Sequence, residues 1–146
     1  MKHRWAALVV VLALSALMPR VGAGQGTQPA PQKKDGVTLK QNFPNPFNPT
    51  TTLAFSIDCT EDRSRTFKVS LKIYNVLAQL VAIPVLQGPA SAAGRPLNNL
   101  DLPCGDYTAF WDGNYLNSTR EVASGIYLSR LEVDGAVKVR KMTVMK

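Results

Sequence analysis

The chain has 146 residues, 45% hydrophobic and 18% charged, with ten Gly, ten Pro, two Cys and one His. That length suits one ordinary domain, and the composition is neither low-complexity nor disordered. The one histidine is His3, inside a segment read below as a leader, so the exported chain has no imidazole for a Ser-His-Asp triad, a Cys-His pair, a zinc ligand or a general base. Two cysteines are also too few for a Cys-only zinc site.

Residues 1–23 read as a secretory signal peptide. Lys2, His3 and Arg4 give a positive start, and Ala6 to Met18 is a thirteen-residue run broken only by Ser15. Val21-Gly22-Ala23 offers small residues for cleavage after Ala23. The run is too short to span a bilayer comfortably, so an uncleaved anchor is the weaker reading. Its removal takes away Lys2, Arg4 and Arg20 and lowers the formal charge from +7 to +4. Residues 134–146 hold +3 of that surplus, through Lys138, Arg140, Lys141 and Lys146 against Asp134. The remainder is nearly balanced, which gives no basis for nucleic-acid binding.

Residues 24–37 are rich in Gly, Gln, Pro and Lys and hold no large apolar residue before Val37, which predicts a flexible linker. The expected domain is 38–146. A short strand is expected near Leu39. Then follows Gln41-Asn42-Phe43-Pro44-Asn45-Pro46-Phe47-Asn48-Pro49-Thr50-Thr51, where three prolines in six positions forbid a helix and hold each preceding residue extended. Asn side chains can make turns in place of ladder bonds. Phe43 and Phe47 read as two apolar anchors for this stiff segment.

Thr52–Asp58 alternates, with Leu53, Phe55 and Ile57 on one face; Thr66–Tyr74 repeats the pattern with Phe67, Val69, Leu71 and Ile73. Cys59 ends the first of these strands. Asp58, Glu61, Asp62, Arg63 and Arg65 then crowd one solvated turn. Gln79–Leu86 is apolar, but Pro84 makes it an edge or a strand end. Gly88–Pro103 reads as loop from its breakers. Gly105–Trp111 is the next strand, with Cys104 just before it and a turn at Asp112-Gly113-Asn114 after it. One carboxylate there is too little for calcium, and EF-hand spacing is absent. Asn117-Ser118-Thr119 is a glycosylation sequon of little weight.

Gly125–Val133 and Ala136–Met145 form a hairpin about Asp134-Gly135, the strongest hairpin signal in the chain. Val137 and Val139 share one parity and Met142 and Val144 the other. A β-bulge at Arg140-Lys141 would return both pairs to the core; a last strand covered on both sides is the alternative. About seven strands at this spacing predict an all-β, immunoglobulin-like two-sheet sandwich. In such a sandwich the strands that Cys59 and Cys104 flank are antiparallel neighbours, and an even cysteine pair in an oxidising compartment becomes a disulfide.

Five segments together resemble the C-terminal sorting domains of the bacterial type IX secretion system, which overlap in sequence with the Ig-like domain of flagellar hook-capping proteins. They are the Asn42–Thr51 stretch (Asn42, Pro44, Asn45, Pro46, Phe47, Asn48, Pro49), Leu71-Lys72-Ile73-Tyr74-Asn75-Val76-Leu77, Trp111-Asp112-Gly113, Val122-Ala123-Ser124-Gly125-Ile126-Tyr127, and Arg140-Lys141-Met142 with Lys146. The resemblance covers about Leu39 to the end. The chain departs from it at Ala78, where the family often has Gly, and at Tyr107, where it often has His.

The resemblance implies an export signal, and because the residues offer no catalytic constellation, no catalytic residue, cofactor, metal or small-molecule substrate is expected. It implies partners in the periplasm and outer membrane: translocon components and, in many relatives, a sortase-like peptidase. The destination is the cell surface or the medium. Lys138, Arg140, Lys141 and Lys146 are the expected recognition handle, on a terminal strand whose edge suits strand addition. Lysines that merely deter aggregation are the bland reading of the same residues. The rival function is a small structural or adhesive Ig-like module, such as a hook-cap-like assembly subunit.

Overall fold

The computed structural model describes residues 36–60, 62, 64–88, 92–116 and 118–146. The expected signal peptide, most of the linker and Asn117 of the sequon lie outside the described residues. Among the described residues nine strands make up the regular structure: β1 (Gly36–Leu39), β2 (Thr51–Asp58), β3 (Thr66–Asn75), β4 (Leu80–Ala82), β5 (Val85–Gln87), β6 (Leu100–Pro103), β7 (Gly105–Trp111), β8 (Gly125–Val133) and β9 (Ala136–Val144). They form two antiparallel sheets, β1-β2-β7-β5 and β4-β3-β8-β9, with β6 also paired to β3. The sheets close on one core, so the described residues form an all-β sandwich.

Alternation explains that core. Leu53, Phe55 and Ile57 of β2 and Phe67, Val69, Leu71 and Ile73 of β3 are all buried. Leu131 and Val133 of β8 and Met142 and Val144 of β9, in the same sheet as β3, are buried in the same core. Burial of each such side chain stabilises by about 1.5–3 kcal/mol before chain entropy is charged against it. β1 begins two residues inside the expected linker: Val37 packs against the core and Leu39 is buried and paired with Phe55. Cys59 and Cys104 are bonded, with Cα atoms 5.8 Å apart, just beyond the Ile57–Gly105 pair that joins β2 to β7.

Three details differ from expectation. The stretch 79–86 is two strands on different sheets: β4 pairs with β3, and β5 with β7. Pro84 lies at the crossover, where it has no N–H to lose and its carbonyl accepts from Leu97 N at 2.9 Å. Leu100–Pro103, read as loop, is β6; Leu100 and Leu102 alternate inward, and Pro103 sits at the strand end where a missing donor costs little.

The third difference is in β9. Pairing with β8 runs without a shift from Val133–Ala136 to Gly125–Val144, so the bulge expected at Arg140-Lys141 is absent. Met142 and Val144 are buried, while Val137 and Val139 are 42% and 51% exposed. Lys138 and Arg140 share the inward parity of Met142 yet remain exposed, so the core stops short of this half of the strand. A bulge would sacrifice bonds of this regular ladder. The Asp134-Gly135 turn has φ of +44° and +86°, as a two-residue primed turn requires. The Asp134 carboxylate fixes it by accepting from Lys68 N at 2.8 Å.

Candidate functional site

The proline-rich segment folds over the open side of β9. Phe43 exchanges two 2.9 Å backbone bonds with Thr52, which leads the segment out of β2. Asn42 turns inward and is 3% exposed. Its amide donates to Pro44 O at 2.9 Å and Thr51 Oγ1 at 3.0 Å, and the Thr51 hydroxyl donates to Pro44 O at 3.0 Å. These bonds replace the ladder that three prolines cannot make. The Phe43-Pro44, Asn45-Pro46 and Asn48-Pro49 bonds are all cis.

Beyond this knot the segment runs alongside β9. Gln41 Nε2 donates to Lys141 O at 2.8 Å, and Thr143 N donates to Asn45 Oδ1 at 2.9 Å. Phe47 N donates to Thr143 O and Met145 N to Phe47 O, each at 3.0 Å. Side-chain amides and one backbone residue thus seal the edge of β9 from Lys141 to Met145. Phe47 is one anchor, 2% exposed; Phe43, expected to be the other, is 80% exposed. Asn42 has taken the inward position, and the next residue must point the opposite way.

Phe47 meets Trp111 edge-on with centroids 5.4 Å apart, and Trp111 meets Tyr127 at 5.9 Å. Trp111 Nε1 donates to Asn114 O at 3.0 Å, and the Tyr127 hydroxyl donates to Ala123 O at 3.0 Å, so both polar tips are satisfied. Burial is the main cause that raises the Tyr127 hydroxyl above its ordinary value of 10.0. Asp112 accepts from Asn114 N and Nδ2, both at 2.9 Å, so it shapes the turn. Gly113 has φ +80°, and a Cβ there would lie 2.2 Å from Pro49 O. Asn48 is exposed, Pro49 half-buried, and Gly125 begins β8 opposite Val144. Ala78 has φ +59°. Tyr107 stacks on Phe55 at 5.3 Å and donates to Pro103 O at 2.7 Å.

The four cations of the expected handle do not form one cluster. Lys138 and Arg140 project to the inner side of β9 and Lys141 to the outer side. Arg140 Nε donates to Leu39 O at 3.0 Å. Lys146 closes the chain end: its ammonium is 2.6 Å from Glu121 Oε2, and its N–H donates to Ser124 Oγ at 3.0 Å. Among the described residues Lys138 and Lys141 enter no ion pair. Nothing local in the sequence marks the roles of Glu121 and Gln41, whose partners Lys146 and Lys141 lie 25 and 100 residues away. The inward Asn42 had a signal, since its amide stands nine residues from a hydroxyl at the start of β2.

Among the described residues no group of three or more His, Cys, Asp or Glu is placed to hold a metal ion. An open, mostly apolar cleft of about 260 Å³ lies between the β4–β5 crossover and the 112–118 loop, lined by Ile83, Val85, Phe110, Tyr115 and Leu116. Comparison with protein-family models, with curated proteins and with solved structures found no match.

Proposed function

We propose that this chain is a non-enzymatic secretion-sorting module, recognised in the periplasm by an outer-membrane translocation machinery and carried to the cell surface. One observation carries the reading. The five segments that resemble sorting domains meet in one place. Phe47, Trp111 and Tyr127 stack, and Pro49 abuts Gly113. Asn45 and Phe47 bind β9, Lys146 reaches Glu121 and Ser124, and Asn75 of β3 pairs with Tyr127. Scattered coincidences of composition have no reason to share one cluster.

The strand order supports an immunoglobulin-like reading of the sandwich. With β6 set aside, β1-β2-β7-β5 takes the A-B-E-D places and β4-β3-β8-β9 the C′-C-F-G places. Tyr127, near the start of the F-position strand, bonds back to the backbone four residues upstream, as in a tyrosine corner. The disulfide departs from antibody domains by joining neighbours within one sheet.

A reporter sent to the periplasm with residues 24–146 at its C-terminus tests the proposal in a host that has type IX secretion. The reporter is expected on the surface. If it stays in the periplasm, the sorting reading fails and a structural or adhesive module takes its place.

A further inference from the structure

The proline-rich segment seals only part of the β9 edge. Thr143 directs its N–H and C=O away from β8, to Asn45 and Phe47. In an antiparallel ladder this direction repeats every second residue, so Val139 and Val137 direct theirs outward as well. Among the described residues no hydrogen bond meets those groups. The strand there is long, regular and unbulged, with one face of Val137 and Val139 and the other of Lys138 and Arg140, all exposed.

We infer that residues 136–140 of β9 are a strand-addition edge for an extended partner segment that alternates carboxylates with apolar side chains. The inference deepens the sorting reading, on which it rests for the partner's place in the export machinery. The outward backbone groups of Val137 and Val139 supply the main-chain bonds, and alternation supplies the choice of partner. Partner residues on the inner side face Lys138 and Arg140, so carboxylates suit them. Partner residues on the outer side face Val137 and Val139, so apolar groups suit them. A second copy of this chain is a poor occupant, because pairing two β9 edges sets cations against cations. The same charges that deter self-association admit an acidic strand.

The test uses the full mature chain and a synthetic peptide of alternating Val and Glu, with a block-ordered peptide of the same composition as control. The alternating peptide is expected to bind at least tenfold more tightly than the control and to protect the Val137 and Val139 amides from hydrogen exchange. Val139→Pro removes one outward N–H and no ladder bond, and is expected to weaken binding about tenfold or more. Lys138→Glu with Arg140→Glu keeps all backbone donors and is expected to abolish binding of the acidic peptide. Equal binding of both peptides, protection elsewhere on the surface, or dimerisation of the chain through β9 overturns the inference. So does undiminished binding by both variants. Carrying the variants on the export reporter separates the two readings. If the unmodified module exports and both variants export equally well, strand addition fails while sorting stands. If the unmodified module does not export, sorting fails, and peptide binding still decides whether the edge accepts a strand.

Discussion

Gly113 is where the proline-rich segment and the Trp-Asp-Gly turn are fitted together, and replacing it with Ala separates two costs. The first is conformational. At φ +80° an L-residue is disfavoured by about 1 kcal/mol. The second is steric. The new Cβ would lie 2.2 Å from Pro49 O, a backbone atom that moves only if the segment moves. Relief of such overpacking costs about 1–3 kcal/mol more. Gly135→Ala is the matched control: its φ is +86°, but nothing lies within 4 Å of the added carbon. Urea unfolding is expected to show a loss of about 1 kcal/mol for Gly135→Ala and about 2–4 kcal/mol for Gly113→Ala. Hydrogen exchange adds a local readout. If the segment lifts, Thr143 and Met145 lose the partners that Asn45 and Phe47 provide, and their amides exchange faster. Equal losses for the two variants, with Thr143 still protected, would refute the view that this contact holds the segment on β9.

The remaining expectations concern the turn, the disulfide and the tyrosines. Ala78→Gly relieves a left-handed alanine and should stabilise by about 0.5–1 kcal/mol, read as a higher urea midpoint. Replacing Cys59 and Cys104 by Ser opens a loop with a sequence separation of 45 and should cost about 4 kcal/mol on a chain-entropy basis, measured by denaturation against the oxidised chain. Burial raises Tyr107 and Tyr127 above 10.0, so the folded state holds these protons more firmly than the unfolded state does. Their contribution is intact below pH 10.0 and is lost as pH rises through the folded values. Unfolding midpoints should fall on the alkaline side, and the fall should shrink in a Tyr127→Phe chain.

Much of the sandwich was legible because its strands have one wet face. Period-two alternation in β2 and β3 named their buried side chains correctly, and Asp134-Gly135 named the hairpin of β8 and β9. Signals failed where a proline marked an element's end. Pro84 hid a change of sheet, and Pro103 hid the strand it terminates. The bulge expected in β9 came from assuming that every valine seeks the core; a sandwich edge has only so much interior, and Val137 and Val139 lie outside it. The proline-rich stretch was recognisable as stiff, but not as a cover for β9. Its contacts are set by residues about a hundred positions away, Gln41 with Lys141 and Asn45 with Thr143, and no local pattern records that pairing. Phe43 failed as an anchor for a related reason: a buried polar residue, Asn42, fixed the parity that hydrophobicity alone would have assigned otherwise.

Whether this sandwich directs export is decided by where a periplasmic reporter fused to residues 24–146 accumulates in two hosts, one with an intact type IX translocon and one without it. A sorting module puts the reporter on the surface of the first host and leaves it in the periplasm of the second. Reporter retained in the periplasm of both, or displayed on the surface of both, would contradict the sorting reading.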